Sequence, residues 1–211
     1  MRYQDASLLV LEKPADLLSV PGRGPDKQDS LSERVRSAFP DARVVHRLDM
    51  ATSGLMLMAR THEAQRGLGD MFAAGQIAKT YVALVHGNPV AGADTWSMID
   101  LPIALDWPQR PRRVIDHCIG KPSRTRWRIA HEATPAEPPG PPATRLELEP
   151  LTGRSHQLRV HLLAIGHPIL GDRLYGVIPS AAPRLMLHAS QLRFAHPLTL
   201  EAMQFCSTPP F

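Results

Sequence analysis

The stretch Val44-Val45-His46-Arg47-Leu48-Asp49-Met50-Ala51-Thr52-Ser53-Gly54-Leu55-Met56-Leu57-Met58-Ala59 has an apolar segment at each end and a polar one between them. Residues 44–46 and 55–59 are short apolar runs bounded by turn-forming residues, which predicts extended chain on both sides. Residues 47–54 then form a polar loop held by a rigid scaffold, where catalytic and binding groups concentrate. In isolation the same residues also make an ordinary polar turn, with Asp49 as a cap and Gly54 supplying a positive φ.

Working outward, residues 7–12 read as a short strand ended by Pro14, and residues 16–25 as loop. Ser30 and Glu33 make a capping-box pattern that opens a helix, which Pro40 closes. Thr61 caps a second helix running to Ala74, with Leu68, Met71 and Phe72 on one face and Gly75 just past its end. Residues 77–85 are rich in strand formers, and residues 87–113 mix loop with short strands. Residues 125–129 and 144–149 both alternate and are expected to pair. Between them, residues 134–142 hold five prolines in nine positions, which predicts a stiff exposed loop. Ser155 is expected to cap a helix over residues 156–165 that Gly166 and Pro168 end. Residues 185–187 and 192–194 read as late strands and 207–211 as a loose tail. Strands outnumber helices without regular alternation. This favours an α+β fold, a mixed and mostly antiparallel central sheet with flanking helices and loops, in a single domain over residues 1–211.

Composition narrows the function. The 211 residues are 43% hydrophobic, enough for a substantial core. The 21 prolines are about twice the usual share. No apolar run approaches the roughly 18 residues of a membrane span, and the polar N-terminus does not fit a signal peptide. With two cysteines, Cys118 and Cys206, and no C-x-x-C pair, neither a disulfide framework nor a structural zinc site is expected, and the cytoplasm is the expected compartment. The net charge of +4 is mild, but between Arg110 and Arg128 seven Lys or Arg residues accompany one acid, Asp116. Trp107 and Trp127 lie beside or within that run. Basic side chains next to aromatics suit phosphate contact and base stacking; a solvated arginine-rich loop reads the same way.

A second segment, Thr152 to Leu162, carries Arg159 one residue from an apolar stripe of Leu158, Leu162 and Ile165. A partly buried guanidinium needs a carboxylate, and a buried carboxylate kept ionised needs a cation. Asp49 and Arg159 could satisfy each other and so present a carboxylate near neutral pH without a metal. His156 and His161 stand five apart, off a common helix face, which argues against a zinc pair. His46-Arg47 with Asp49 resembles the kinase H-R-D loop, but the Asp is displaced by one and no glycine-rich loop precedes it.

HRLDMATSG (46–54), KTYVA (79–83), TGRSHQLRVHLLAIGHPILGDRLYG (152–176) and LMLHA (185–189) together resemble the signatures of the RluA family of pseudouridine synthases, in that family's order. LLSVPG (17–22) and the GKP core of residues 114–125 add to the likeness, which spans residues 3–205. The nearest subgroup is the short one that modifies uridines in tRNA anticodon stem-loops and in a 23S rRNA stem-loop. No N-terminal S4-like domain is expected, since residue 7 already opens the catalytic domain's first strand. The departures are the proline-rich segment and the run Arg124, Arg126, Arg128.

The resemblance implies an isomerase that flips a uridine from its RNA, breaks the N1–C1′ bond and joins C5 to C1′. Asp49 would be the catalytic carboxylate, acting as a nucleophile at C1′ or as the base that removes the 2′ proton. Tyr81 would stack on the uracil, and Arg159 would hold Asp49. Arg47 would fill the space of the flipped base, with Leu187, Arg154 and His46 as further substrate contacts. Arg112, Arg113, Lys121, Arg124 and Arg126 would form the RNA-binding patch. The reaction is redox-neutral and adds no group, so no cofactor or metal is expected; RNA is the expected partner, with no membrane, and the protein is expected to be a monomer. The alternatives are a family member acting on another rRNA site only and a non-catalytic RNA-binding protein of the same fold.

Overall fold

A computed structural model describes residues 1–90, 95–130, 142–177 and 182–211. The fold is α+β, with a mixed, mostly antiparallel set of strands and few helices. Contacts cluster in two compact units: residues 1–79 with 188–210, and residues 80–187 with Phe211.

In the first unit, β1 (Tyr3–Gln4) pairs with β2 (Leu8–Lys13), and β2 pairs antiparallel with β4 (Ser53–Ala59). The short β3 (Arg43–Val44) also lies on β4. Parallel to β4 runs β11 (Leu187–Ala195), which pairs antiparallel with β12 (Ala202–Cys206). All seven residues of β4 are buried, as expected of a strand covered on both faces, and from Leu55 to Ala59 its sequence is continuously apolar rather than alternating. Helix α1 (Leu31–Arg36) precedes β3, and α2 (His62–Ala73) packs on β4. Leu8 and Val10, Leu55 and Leu57, and Leu192 and Phe194 each sit two residues apart and turn toward Ala64 and Leu68 of α2. Thr61 caps α2 by accepting from the Ala64 N–H at 3.1 Å, and Gly75 follows with φ 70°.

In the second unit, β10 (Ala143–Pro150) lies antiparallel between β5 (Ala78–His86) and β9 (Arg124–Ile129), and β6 (Ser97–Asp100) extends β9. The predicted pairing of residues 125–129 with 144–149 is present. A separate ribbon joins β7 (Ile103–Leu105) to β8 (Arg113–Ile115). Helix α3 (Gln157–Ala164) contributes Val160 to a cluster with Ile103 and Tyr175.

Several expectations are corrected. Helix α1 ends at Arg36, short of Pro40; beyond it the Ala38 and Phe39 N–H groups close turns on the Val35 carbonyl, and the Arg36 Nε donates to the Ala42 carbonyl. The strand pairing before the polar loop stops at Val44. There the His46 ring, not a strand backbone, accepts the Leu57 N–H at 2.8 Å. Ser155 does not cap α3; His156 occupies the cap position with a left-handed φ of 56° and no side-chain cap. Leu185 lies outside β11, which is a single strand. The tail is not loose: Ser207 is buried, donating from its N–H to the Ser190 carbonyl at 2.8 Å, and β12 before it was not foreseen. Trp127 is 7% exposed and belongs to the core, so it offers no face to a base. Residues 134–141 of the proline-rich segment lie outside the described residues.

Candidate active site

The residues singled out from the sequence divide between the two units. His46, Arg47 and Asp49 lie in the first; Tyr81, Arg154, Arg159, Leu187 and the basic patch lie in the second.

In the first unit the chain from Arg47 to Thr52 is pinned from inside. Leu48 is buried, whereas Arg47 is exposed and Asp49 partly so, as in an extended segment that anchors every second residue. The buried Ser19 hydroxyl donates to the Leu48 carbonyl at 2.7 Å and accepts the Leu48 N–H at 3.1 Å. One hydroxyl therefore satisfies both backbone groups between Arg47 and Asp49. The Lys13 ammonium, fully buried, donates to the carbonyls of Pro14, Leu17 and Met50 at 2.7–2.8 Å. Thr52 donates its N–H to the Asp49 carbonyl at 3.1 Å, closing a turn with Asp49 at its first position, where Asp is favoured. Gly54 has φ +113°, and a Cβ there would stand 2.3 Å from the Ala189 carbonyl oxygen. Close approach of β4 to β11 therefore demands glycine.

His46 closes the other end. Its Nε2 accepts the Leu57 N–H, and its ring lies 4.5 Å from that of Phe72. Burial pushes the imidazole down to about 3, helped by the charge of Lys79, whose own pKa burial lowers. The ring is a neutral acceptor that fixes where the polar segment begins. At the start of β4, Ser53 Oγ lies 2.8 Å from His188 Nδ1, and His188 Nε2 lies 2.9 Å from Ser207 Oγ, which donates to Glu12 at 2.8 Å. The tail thereby supports the strand that carries the motif.

In the second unit Tyr81 sits on β5 opposite Leu148 of β10, and Leu187, 3% exposed, opens β11. Arg159 projects from α3 and is 5% exposed. Its Nε and Nη2 donate to the two carboxylate oxygens of Asp172, both at 2.7 Å, in a forked pair. The sequence demanded a carboxylate for this guanidinium; Asp172 is one, and it was overlooked although it stands in the same long motif. Gln157, the first residue of α3, does not cap the helix but ties its start to the preceding loop. Its Oε1 accepts from the Thr152 hydroxyl at 2.7 Å and the Arg154 N–H at 3.0 Å. Its Nε2 donates to the Arg124 carbonyl and Thr125 Oγ1 at 2.9 and 3.1 Å. That one amide ties the Thr152–Arg154 loop to β9. Thr125 Oγ1 in turn lies 2.9 Å from His161 Nδ1, and burial lowers the pKa of that imidazole.

The basic patch is uneven. Lys121, Arg124 and Arg154 are exposed. Arg126 faces Glu149 at 3.4 Å, Arg128 pairs with Glu147, and both stack on Trp96 at 4.7 Å. The cross-strand register of β9 and β10 sets those pairs. Arg112 lies over the Tyr175 ring, and the Arg113 N–H donates to the Tyr175 hydroxyl at 2.7 Å. Trp107 is 62% exposed with the Arg110 guanidinium 4.3 Å from its ring centre. Among the described residues, no group of three or more His, Cys, Asp or Glu side chains could hold a metal ion, and no helix is long and apolar enough to cross a membrane.

The chain is similar over most of its length to known RNA pseudouridine synthases. The dual-specificity RNA pseudouridine synthase RluA of Escherichia coli (strain K12) is 44% identical over 212 aligned residues, covering 99% of this chain and 92% of its own length. The dual-specificity RNA pseudouridine synthase RluA of Yersinia pestis is 46% identical over 197, covering 92% and 91%. The solved structure of human RNA Pseudouridylate Synthase Domain Containing 1 superposes with a TM-score of 0.80 at 32% identity, covering 99% of this chain and 82% of that one. Residues 7–164 match the family described as RNA pseudouridylate synthase. With that match over most of its length and relatives this similar end to end, the chain belongs to the RNA pseudouridylate synthase family.

Proposed function

We propose that this protein converts uridine to pseudouridine in two kinds of RNA, a tRNA anticodon stem-loop and a 23S rRNA stem-loop, acting as a cytoplasmic monomer. The observation that carries the reading is 44% identity, over 99% of the chain, to a synthase named for dual specificity. A hairpin loop suits the chemistry, because extruding a base costs a few kcal/mol and least where it is already unpaired.

Asp49 is the catalytic carboxylate and acts on the ribose of the extruded nucleotide. The turn closed by Thr52 and the clamp of Ser19 on Leu48 support its placement. Arg159 is its cationic partner, Tyr81 stacks on the uracil, and Leu187 packs beside it. Arg47, exposed next to the clamped Leu48, fills the space that the base leaves. Arg154, Lys121 and Arg124 contact phosphates together with Arg112 and Arg113. Arg126, paired with Glu149, contributes less to that patch. His46 serves as a positioning residue behind the motif. The N1–C1′ bond breaks, the base turns, C5 bonds to C1′, and the C5 proton is lost while N1 gains one. Atoms balance without a cofactor.

The test is site-resolved mapping of pseudouridine after incubating the purified protein with unmodified tRNA and 23S rRNA transcripts. New pseudouridine is expected in an anticodon stem-loop and in one 23S stem-loop. Product in rRNA alone would leave only a single-substrate synthase, and none in either would reject the reading.

A further inference from the structure

We propose that Asp172 is a positioning residue of this enzyme: it aims the Arg159 guanidinium. The inference rests on the reading of Arg159 as the partner of Asp49.

Arg159 and Asp172 are joined by two bonds of 2.7 Å, and their side chains are 6% and 0% exposed. A fork on the Nε and Nη2 edge fixes the plane of the guanidinium, and with it the direction in which Nη1 points. A single bond would leave the group free to swivel. Asp172 is itself immobilised. Its Oδ1 also accepts the N–H groups of Leu174 and Tyr175, at 2.9 and 3.1 Å, and its carbonyl accepts the Gly176 N–H at 2.8 Å. A Cβ on Gly176 would stand 2.5 Å from that carbonyl oxygen, so the turn closes only on glycine. Gly171, just before Asp172, has φ +76° and no room for a Cβ against the Arg184 carbonyl. The carboxylate is therefore held by its own backbone turn before it holds Arg159.

The turn also supports the guanidinium from its face. The Tyr175 ring centre lies 5.0 Å from Arg159 Cζ, and the Tyr175 hydroxyl lies 2.7 Å from His156 Nδ1. That hydroxyl accepts the Arg113 N–H, and Arg112 lies over the same ring at 5.5 Å. One turn, residues 172–176, thus sets the edge and the face of Arg159 and reaches Arg112 and Arg113 at the start of β8, two members of the proposed RNA-binding patch. Edge and face together leave the guanidinium little freedom to rotate, which a side chain serving only to fill the core would not require.

The experiment compares Asp172→Asn, Arg159→Gln and the double variant in single-turnover reactions on an anticodon stem-loop RNA, with RNA affinity measured separately. Asp172→Asn should slow the reaction at saturating RNA by about 100-fold, the usual effect of misplacing a catalytic group by about 1 Å, while the RNA Kd stays within about threefold. Placed on Arg159→Gln, it should add no further loss, since Asp172 acts through Arg159. A purely structural Asp172 would slow the Arg159→Gln enzyme again, which would overturn the proposal. So would full turnover by Asp172→Asn alongside a slow Arg159→Gln, an outcome that leaves the role of Arg159 standing. Full turnover by Arg159→Gln would instead remove the reading on which the proposal rests, and the proposal with it. Should Asp172→Asn fail to fold, Asp172→Glu keeps the charge but shifts it by one methylene. The same loss of rate at unchanged affinity is expected, and an unchanged rate would overturn the proposal.

Discussion

Acidification should destabilise this protein through His46 before it touches most carboxylates. In the folded chain the imidazole titrates at about 3 against a usual 6.5, because burial strips water from the charged form and Lys79 repels it. Protonation would also turn Nε2 from the acceptor of the Leu57 N–H into a donor facing a donor. The folded pKa is depressed, so the unfolded chain binds the proton first. The stabilisation is complete above about pH 6.5 and is lost as pH falls toward 3. Between about pH 8 and about pH 5 the loss from this residue is about 2 kcal/mol, which lowers the melting temperature of a chain of this size by roughly 4–8 °C. Asp5, Glu12 and Asp116, whose pKa values are lowered, lose their contributions only further down. His161 shifts in the same direction as His46 and supplies a background that both proteins share. The assay is thermal unfolding of the wild type and His46→Gln at both pH values. The variant should be less stable at pH 8, having lost the ring packing on Phe72, yet fall by several degrees less on acidification. Equal losses in the two proteins would refute the argument, since they would show that the folded state accommodates the charged ring.

Gly54→Ala should cost about 3 kcal/mol or more, since φ +113° strains an L-residue and the new Cβ meets the Ala189 backbone at 2.3 Å; denaturant unfolding measures it, and a loss below about 1 kcal/mol would contradict the packing of β4 on β11. Replacing Lys121 and Arg124 with Gln should flatten the salt dependence of RNA binding by about 0.7 to 0.9 log units per contact. The same change at Arg126 and Arg128, which face Glu149 and Glu147, should leave the slope nearly untouched. Equal effects of the two pairs would show that ion pairing does not withhold those arginines.

Much of the fold was readable because its signals are local. The apolar run Leu55–Ala59 of β4, the Thr61 cap and the alternation of residues 125–129 and 144–149 each depend on neighbours within a few positions. What escaped depends on partners remote in sequence. His46 leaves the strand pattern because its ring reaches Leu57, and the start of α3 is tied not by Ser155 but by Gln157, whose amide reaches Thr125 across 32 positions. Strand β12 did carry a signal: Met203 and Phe205 alternate inward against outward Ala202, Gln204 and Cys206. The motif residues of the candidate site were legible as a resemblance, whereas their supports were not. Ser19 and Lys13 look like ordinary loop and strand residues until their hydrogen bonds to Leu48 and Met50 are seen. Asp172 could have been found by asking which acid in the long motif a buried Arg159 would take.

The most direct test of the whole account is Asp49→Asn, assayed for pseudouridine formation in a single turnover on an anticodon stem-loop, with RNA affinity measured in parallel. The account predicts no detectable product and a Kd within about tenfold of wild type, since phosphate contacts dominate binding. Product at the wild-type rate would contradict it.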